Sequence, residues 1–600
     1  MQLASSHPDP SPSRANRLRD LLAAIALFIA TAAVVFWQNA HVAVLYDISY
    51  IFNVAARVAA GQVPYRDFPL VHAPLTFLVQ SAIIRLTGRV YFHHVLYVAA
   101  IGGLGTVLTA RIAHGILRGR MQPAGVLALL LAAPLTFLGI YSIVPNPEYD
   151  GDCAFWILVA VFALQQSIGD RGAASGATKN IARSFAAGIA ICIPLFFKQN
   201  MGLPFLLTCI AAIALLLIST RFRPVAAQGT AQDDIPDVQT LLTVLAGVAI
   251  ALIAVAFALQ LTAGLGNYLR WTIRFAAQRR MPGFSQMLGA YTYPSLAWML
   301  PCVLVALVLL RTRAAKKLWA RIAAFTLLAA PFLYALAALV MYDDADERGD
   351  SFLALWPLLL ALAGLAALGN LFRSRGKFTL QMFFPFILLA AINGTMMSQQ
   401  LWGSTYAIWP LLVLLLAEMI ASLNEFAAAD RHLATAFTVL VSITLLVCGA
   451  FYTASEERLS YAQFPPGPAL HSSFASLAGM STPGPFLPNL DELLRYASAH
   501  IPFNDGVMLI PGEDPFFFAT GREQRFPTTI WDQTCDPYSP QEIAGMARTR
   551  NMRWLIVKTE LQLNADPTPD RAATMDLLMQ EFALSAHLRG YDVYLRRPGN

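Results

Sequence analysis

Charge is scarce in this chain. Asp, Glu, Lys and Arg make up 13% of its 600 residues, about half the share carried by a soluble globular domain. That deficit excludes a soluble fold, and the 57% hydrophobic content with a mean hydropathy of +0.54 points to a membrane. Cysteine is sparse too. Of six, Cys153, Cys192, Cys209, Cys302 and Cys448 fall in or beside apolar runs and Cys535 stands alone in a hydrophilic region, so neither a disulfide framework nor a zinc site is expected. No Walker or Rossmann glycine pattern, histidine-rich tract or internal repeat is present, which removes the common nucleotide-site and repeat architectures. Few ionisable residues fall mid-run; Arg111 and Glu418 lie toward run ends. Ion-coupled carriers keep charged relays near the midplane, so chemistry is expected at a membrane surface.

What is present is a series of apolar runs between Leu21 and Thr453, most of them near the roughly 20 residues a helical span needs. The reading is a polytopic α-helical membrane protein of about 13 transmembrane helices, at 21–40, 95–117, 124–143, 153–168, 184–197, 203–219, 240–261, 295–310, 322–341, 351–369, 378–397, 404–424 and 433–453. The N-terminal residues 1–20 form a polar cytoplasmic tail, ending in Arg14, Arg17 and Arg19 before a retained first span. Reading 74–88 as an interfacial helix places 20 Lys/Arg inside, against 10 in outer loops and 12 in the C-terminal region, as the positive-inside rule requires. The net charge of +6 is therefore a topology signal, and no nucleic-acid partner is expected. Residues 21–454 form the membrane domain, with its first outer loop at 41–94.

From about Ser455 the chain turns Pro/Gly-rich and then alternates helical and strand patterns. Helices are expected near 490–500, 540–551 and 569–583, and strands near 506–511, 553–558 and 591–596. This is a small extracytoplasmic α/β domain, 455–600, on the same side as the first loop.

Four places carry candidate chemistry. Asp47 opens a stretch with apolar residues at Ile48, Ile51, Phe52, Ala55, Val58 and Ala59, and with Asn53 and Arg57 opposite. The spacing predicts an amphipathic helix lying along the headgroup plane, which Asp47 either caps or uses as a platform for catalysis. A turn with Arg66 and Asp67 follows. The second place is Asn146-Pro-Glu148-Tyr-Asp150-Gly-Asp152. Its three carboxylates serve as base, divalent-metal ligands or acceptor clamp, or as an ordinary solvated loop. The third is Lys198, a lone cation at an apolar span end beside Gln199 and Asn200, either an anion contact or a snorkelling lysine. The fourth is an outer loop carrying Arg270, Arg274, Arg279 and Arg280, suited to a phosphate or to membrane-lipid headgroups. The stretch Trp402–Tyr406 belongs to the same cavity or to an aromatic belt.

These residues resemble a known family. Asp47, the Gly61-x-x-Pro64-Tyr65-x-Asp67-Phe68 turn and the Pro74-Leu75-x-Phe77-Leu78 segment are similar to the first outer loop of GT-C-fold glycosyltransferases of the family-39 type. That type includes protein O-mannosyltransferases and the lipid A aminoarabinose transferase. This chain has Ile48 where the family carries a glutamate after the aspartate. The resemblance implies a polyprenyl-phosphate-linked sugar donor, a lipid, glycan or protein acceptor, and a bacterial inner membrane. It assigns Asp47, with Asp150 or Asp152, to catalysis. Lys198, Glu148, Arg66, Asp67, Arg270, Arg274, Arg279 and Arg280 are then donor- or acceptor-binding. No organic cofactor is implied; a divalent metal fits three clustered carboxylates. The rival reading is a transporter or flippase of lipid-linked saccharides, and a third is a non-catalytic scaffold.

Overall fold

The computed structural model describes residues 14–169, 177–221, 237–279, 288–374, 378–397, 406–426, 431–455, 457–532, 535–563 and 569–598. The chain is a polytopic helical membrane protein with a small C-terminal sheet region. In order, α1 (Arg14–Asn39), α2 (Leu45–Ala59), α3 (Leu75–Thr87), α4 (Tyr91–Leu117), α5 (Ala124–Ala132), α6 (Leu135–Leu138), α7 (Tyr149–Gly169), α8 (Ala177–Phe197), α9 (Gln199–Arg221) and α10 (Val238–Thr262) build the first half. Among the described residues nine helices are long and apolar enough to cross a membrane, and three more apolar helices are shorter.

Two of the expected spans take a different form. The run at 124–143 breaks into α5 and α6 at Ala133-Pro134, because proline has no N–H for the ladder and clashes with the preceding turn. Beyond α6 the chain folds back through Tyr141, which has a left-handed φ of 65°. The short run at 184–197 is extended backward to Ala177, giving 21 residues.

The C-terminal region holds a four-stranded sheet. With β1 (Leu470–His471) and β2 (Ser481–Thr482) as a minor ladder, β3 (Gly506–Ile510), β4 (Met552–Lys558), β5 (Phe582–His587) and β6 (Tyr591–Arg596) pair in the order β3-β4-β6-β5. Strands β3 and β4 are parallel and the other pairs antiparallel. Strand β5 falls partly where the helix at 569–583 was expected; that helix stops at Met579.

The first-loop helix α2 does not lie on a surface. Its Ile48, Phe52 and Ala55 share a buried core with Leu487, Leu490, Phe516, Phe518 and Val593 of the C-terminal region. Its other apolar face, Ile51, Val54 and Val58, packs with Tyr65, Phe68, Phe77 and Tyr268. The polar positions meant for water are buried as well. Asn53 donates to Asp514 O at 3.0 Å and accepts from Phe518 N at 3.1 Å. The Arg57 guanidinium donates to Phe526 O and Pro527 O at 3.1 and 3.0 Å. A helix that is amphipathic by sequence is thus packed on both of its apolar faces, with Asn53 and Arg57 matched to backbone groups far along the chain.

This arrangement orients the molecule. Tyr91, at the start of α4, joins the C-terminal core. The 27 residues of α4, at 1.5 Å each, carry the chain about 40 Å away, to Arg118 and Arg120. There Arg120 pairs with Glu418 and Glu425, each at 2.6 Å. The arginine cluster and the first loop occupy opposite ends of the bundle.

Candidate active site

Helix α2 starts without a cap of its own. Its N-cap is Val44, which has no side-chain acceptor for the exposed N–H groups of a first turn. A glutamine from the far end of the chain supplies one. Gln562 accepts the Leu45 N–H at 2.7 Å and donates to Ala43 O at 2.9 Å. Gln562 is itself held by Glu513, which accepts its backbone N–H at 2.9 Å. Asp47 is therefore not the cap. It lies in the first turn and its carboxylate accepts the Tyr461 hydroxyl at 2.6 Å.

The acidic loop enters from α7. Its carboxylates at 150 and 152 are two residues apart, so at about 100° per residue they face opposite ways. Asp152 turns inward and accepts from Thr76, Tyr97 and Tyr141 hydroxyls at 2.7, 2.6 and 2.7 Å. The intervening Gly151 is required by this packing, since a Cβ there would stand 2.6 Å from the Tyr141 ring. Asp150 faces the other way and forms a buried ion pair with Lys198.

Lys198 reaches that position from the sharp corner between α8 and α9. The corner closes because Gly202 lets the backbones touch; a Cβ at Gly202 would lie 2.3 Å from Leu195 N. The ammonium sits 5.1 Å from the centre of the Tyr149 ring, within cation–π range. Asp47, Glu148, Asp150 and Lys198 all line one cavity of about 660 Å³. Tyr46, Tyr406, Tyr461 and Asp532 complete its polar wall, and Leu195, Phe196, Leu203, Leu269 and Ile273 form an apolar wall. Leu203, Leu269 and Ile273 are exposed side chains, so this wall offers an apolar surface to a ligand with a hydrocarbon tail.

Burial is the main electrostatic influence here. It pushes the Asp47 carboxyl up to about 6; the Tyr461 hydrogen bond pulls the other way and Asp150 adds to the rise. Glu148 is held well above the ordinary carboxylate range, by burial first and by the neighbouring Asp47 and Asp150 charges next. Two carboxyls with different affinities for a proton thus share one cavity, the situation that separates a base from a proton-bearing neighbour.

Several expected site residues are elsewhere. Asp152 does not line the cavity; three hydroxyl donors make it a structural anchor. Arg66 and Asp67 form an exposed ion pair at 2.8 Å, and Asp67 closes its own turn by accepting Val63 N–H at 2.7 Å. Neither reaches the cavity. Arg270 and Arg274 are exposed on a π-helical turn, Arg270–Phe275. It turns Tyr268, Thr272 and Ile273 toward the cavity and these arginines away. The Arg279 side chain, Arg280 and residues 402–405 lie outside the described residues. Among the described residues no three His, Cys, Asp or Glu side chains are placed to hold a metal ion. Asp150 is paired with Lys198 and Asp152 with its three hydroxyl donors.

The structure also adds residues. Tyr461 comes from the Pro-flanked stretch after the last span. Asp532, bonded by the Tyr46 hydroxyl at 2.8 Å, comes from the C-terminal region, and His72 from the loop before α3. Single residues in loops, each far in sequence from its partner, leave no periodic signal to find.

No protein-family model and no curated protein matches the chain. Solved structures do. One is ArnT from Cupriavidus metallidurans bound to undecaprenyl phosphate, at TM-score 0.49 and 10% identity, covering 96% of this chain and 98% of that one. Another is the archaeal oligosaccharyltransferase AglB from Archaeoglobus fulgidus, in complex with an inhibitory peptide and a dolichol-phosphate. It matches at TM-score 0.47 and 12% identity over 98% of this chain and 75% of that one. At such scores and identities the likeness assigns no residue and no activity.

The division of labour between the two aspartates has a measurable consequence. Asp152→Ala takes the shared acceptor from the Thr76, Tyr97 and Tyr141 hydroxyls, at about 1–3 kcal/mol for each group left unsatisfied; Tyr141 keeps Glu148 O as a second acceptor. A clear fall in thermal unfolding midpoint relative to the wild type is expected. A wild-type midpoint for Asp152→Ala in detergent would show that Asp152 anchors nothing.

Proposed function

We propose that the protein is an integral-membrane glycosyltransferase. It moves a sugar from a polyprenyl-phosphate donor to an acceptor hydroxyl at the outer membrane face. The observation that carries this reading is the convergence of Asp47, Glu148, Asp150 and Lys198 on one cavity that also has an apolar wall. The resemblance of the first loop to family-39-type GT-C enzymes points the same way.

In this reading the polyprenyl tail lies along Leu203, Leu269 and Ile273, and the donor phosphate reaches Lys198. Asp47 takes the proton from the acceptor hydroxyl. The acceptor oxygen forms a bond to the anomeric carbon from the face opposite the phosphate. The bond from that carbon to the phosphate oxygen breaks, and its electron pair leaves on the polyprenyl phosphate. One displacement inverts the anomeric centre. Lys198, aimed by Asp150, stabilises the charge that grows on the departing phosphate. Glu148 keeps its proton beside the ionised Asp47 and offers a donor to a sugar or phosphate oxygen.

Membranes containing the protein, supplied with a panel of radiolabelled polyprenyl-phosphate sugars, should release polyprenyl phosphate with one or a few of them and label an acceptor. Binding of these donors without any acceptor-dependent release of polyprenyl phosphate would make the protein a carrier of lipid-linked saccharides instead.

A further inference from the structure

One cavity residue is held more firmly than its burial requires. His72 lines the cavity and is 7% exposed. Its backbone is pinned on both sides by Gln199, which donates to Val71 O at 2.9 Å and accepts from Ala73 N at 3.2 Å. The Tyr65 hydroxyl donates to His72 O at 2.8 Å, and Tyr65 holds a left-handed φ of 69°, a conformation costly for a bulky side chain. The imidazole is fixed in turn. Nδ1 is 2.9 Å from the Tyr50 hydroxyl, and the ring stacks on Tyr149 with centroids 4.1 Å apart and an interplanar angle of 19°. Tyr149 is also the ring that Lys198 approaches. Two aromatic side chains thus hold the imidazole while Gln199 and a strained turn hold its backbone, the arrangement by which sites pre-organise a contact.

The charge balance of the cavity gives this placement a use. Its described carboxylates are Asp47, Glu148, Asp150 and Asp532, and its lysine, Lys198, is already paired with Asp150. Arg270 and Arg274 face away. Among the described side chains, an anionic headgroup entering this cavity meets more carboxyl groups than cations. Histidine supplies a further cation only when protonated, and an unperturbed imidazole changes charge near pH 6.5.

We propose that His72 is a second contact for the donor phosphate, and that its protonation makes donor capture depend on pH. This rests on the phosphate reading above. Among the described residues Tyr50 from α2 and Tyr149 from α7 touch the ring, Tyr65 and Gln199 hold the backbone beside it, and Asp47, Glu148, Asp532 and the Lys198–Asp150 pair line the same cavity.

Binding is read without turnover, in the Asp47→Asn background, which also removes the titration of Asp47. The probe is a polyprenyl methyl phosphate, a phosphodiester with one charge that does not titrate between pH 6 and 8.5. Affinity in nanodiscs is expected to fall about tenfold or more over that range. His72→Lys should bind with little pH dependence, and His72→Gln, which keeps a polar group for Tyr50, should bind weakly throughout. The His72→Lys variant tests charge without relying on the loss of a side chain, and the profile of the unsubstituted His72 protein needs no cavity substitution beyond Asp47→Asn. A pH-independent affinity, or a slope that persists in His72→Lys, overturns the role of His72 and leaves the phosphate site standing. No binding at any pH overturns both.

Discussion

Asp47→Asn is expected to lower sugar transfer by at least about 10² to 10⁴-fold, the range that a positioned general base contributes, while leaving the protein folded. Asparagine keeps an oxygen for the Tyr461 hydroxyl but cannot take a proton from the acceptor. The sign of the stability effect makes the test sharp. Burial raises the Asp47 pKa to about 6, above its value near 3.9 in an unfolded chain. A raised carboxyl contributes stability below the unfolded pKa and loses it as pH rises through the folded one. Ionised Asp47 is thus a destabilising group at pH 7, and Asp47→Asn should unfold at the same or a higher temperature there. For the same reason transfer by the wild type should rise with pH through about 6. A folded Asp47→Asn variant that still transfers sugar would remove Asp47 as the base.

Lys198→Met is expected to be as damaging, for two reasons that can be separated. The substitution leaves Asp150 buried without its cation, and breaking a buried ion pair on one side costs about 3–5 kcal/mol. It also removes the charge facing the departing phosphate, worth about 10² to 10³ in rate where such donors have been removed. Adding Asp150→Asn to Lys198→Met removes the orphaned charge. The double variant should regain most of the thermal stability and none of the transfer. Recovery of both would make the pair a structural tie.

Much of the fold was legible because helices and strands write their periods into the chain. The apolar runs, the helix beginning near Asp47 and the helix–strand alternation after Ser455 all follow from 3.6- and 2-residue patterns. The candidate site was legible only where an odd residue stands in a uniform context, as Asp47 and Lys198 do. Geometry allows only one of Asp150 and Asp152 to face a given cavity, yet nothing local says which; Thr76, Tyr97 and Tyr141 decide it from other elements. Arg57 and Asn53 read as a wetted face because their partners are backbone carbonyls and an N–H more than 460 residues away. Arg270 and Arg274 read as an anion site because a charge count cannot tell which side of a helical turn faces inward. Tyr461, His72 and Asp532 have no pattern at all. They enter the cavity through tertiary packing.

The bond from Gln562 to Leu45 joins residues 517 positions apart, and this separation bears on how the protein is made. Helix α2 emerges early from the ribosome, with Ile48, Phe52 and Ala55 as a ready apolar face. The strands and helices that cover that face come last. At roughly 5–20 residues per second, the interval is on the order of half a minute to nearly two minutes. Through that time the segment carrying Asp47 has neither its cap nor its core, and the spans that follow must be inserted around it. The cavity is therefore closed only by the final stretch of synthesis, and a ribosome that stalls before Gln562 leaves a membrane-embedded chain whose central carboxylate is not yet held in place.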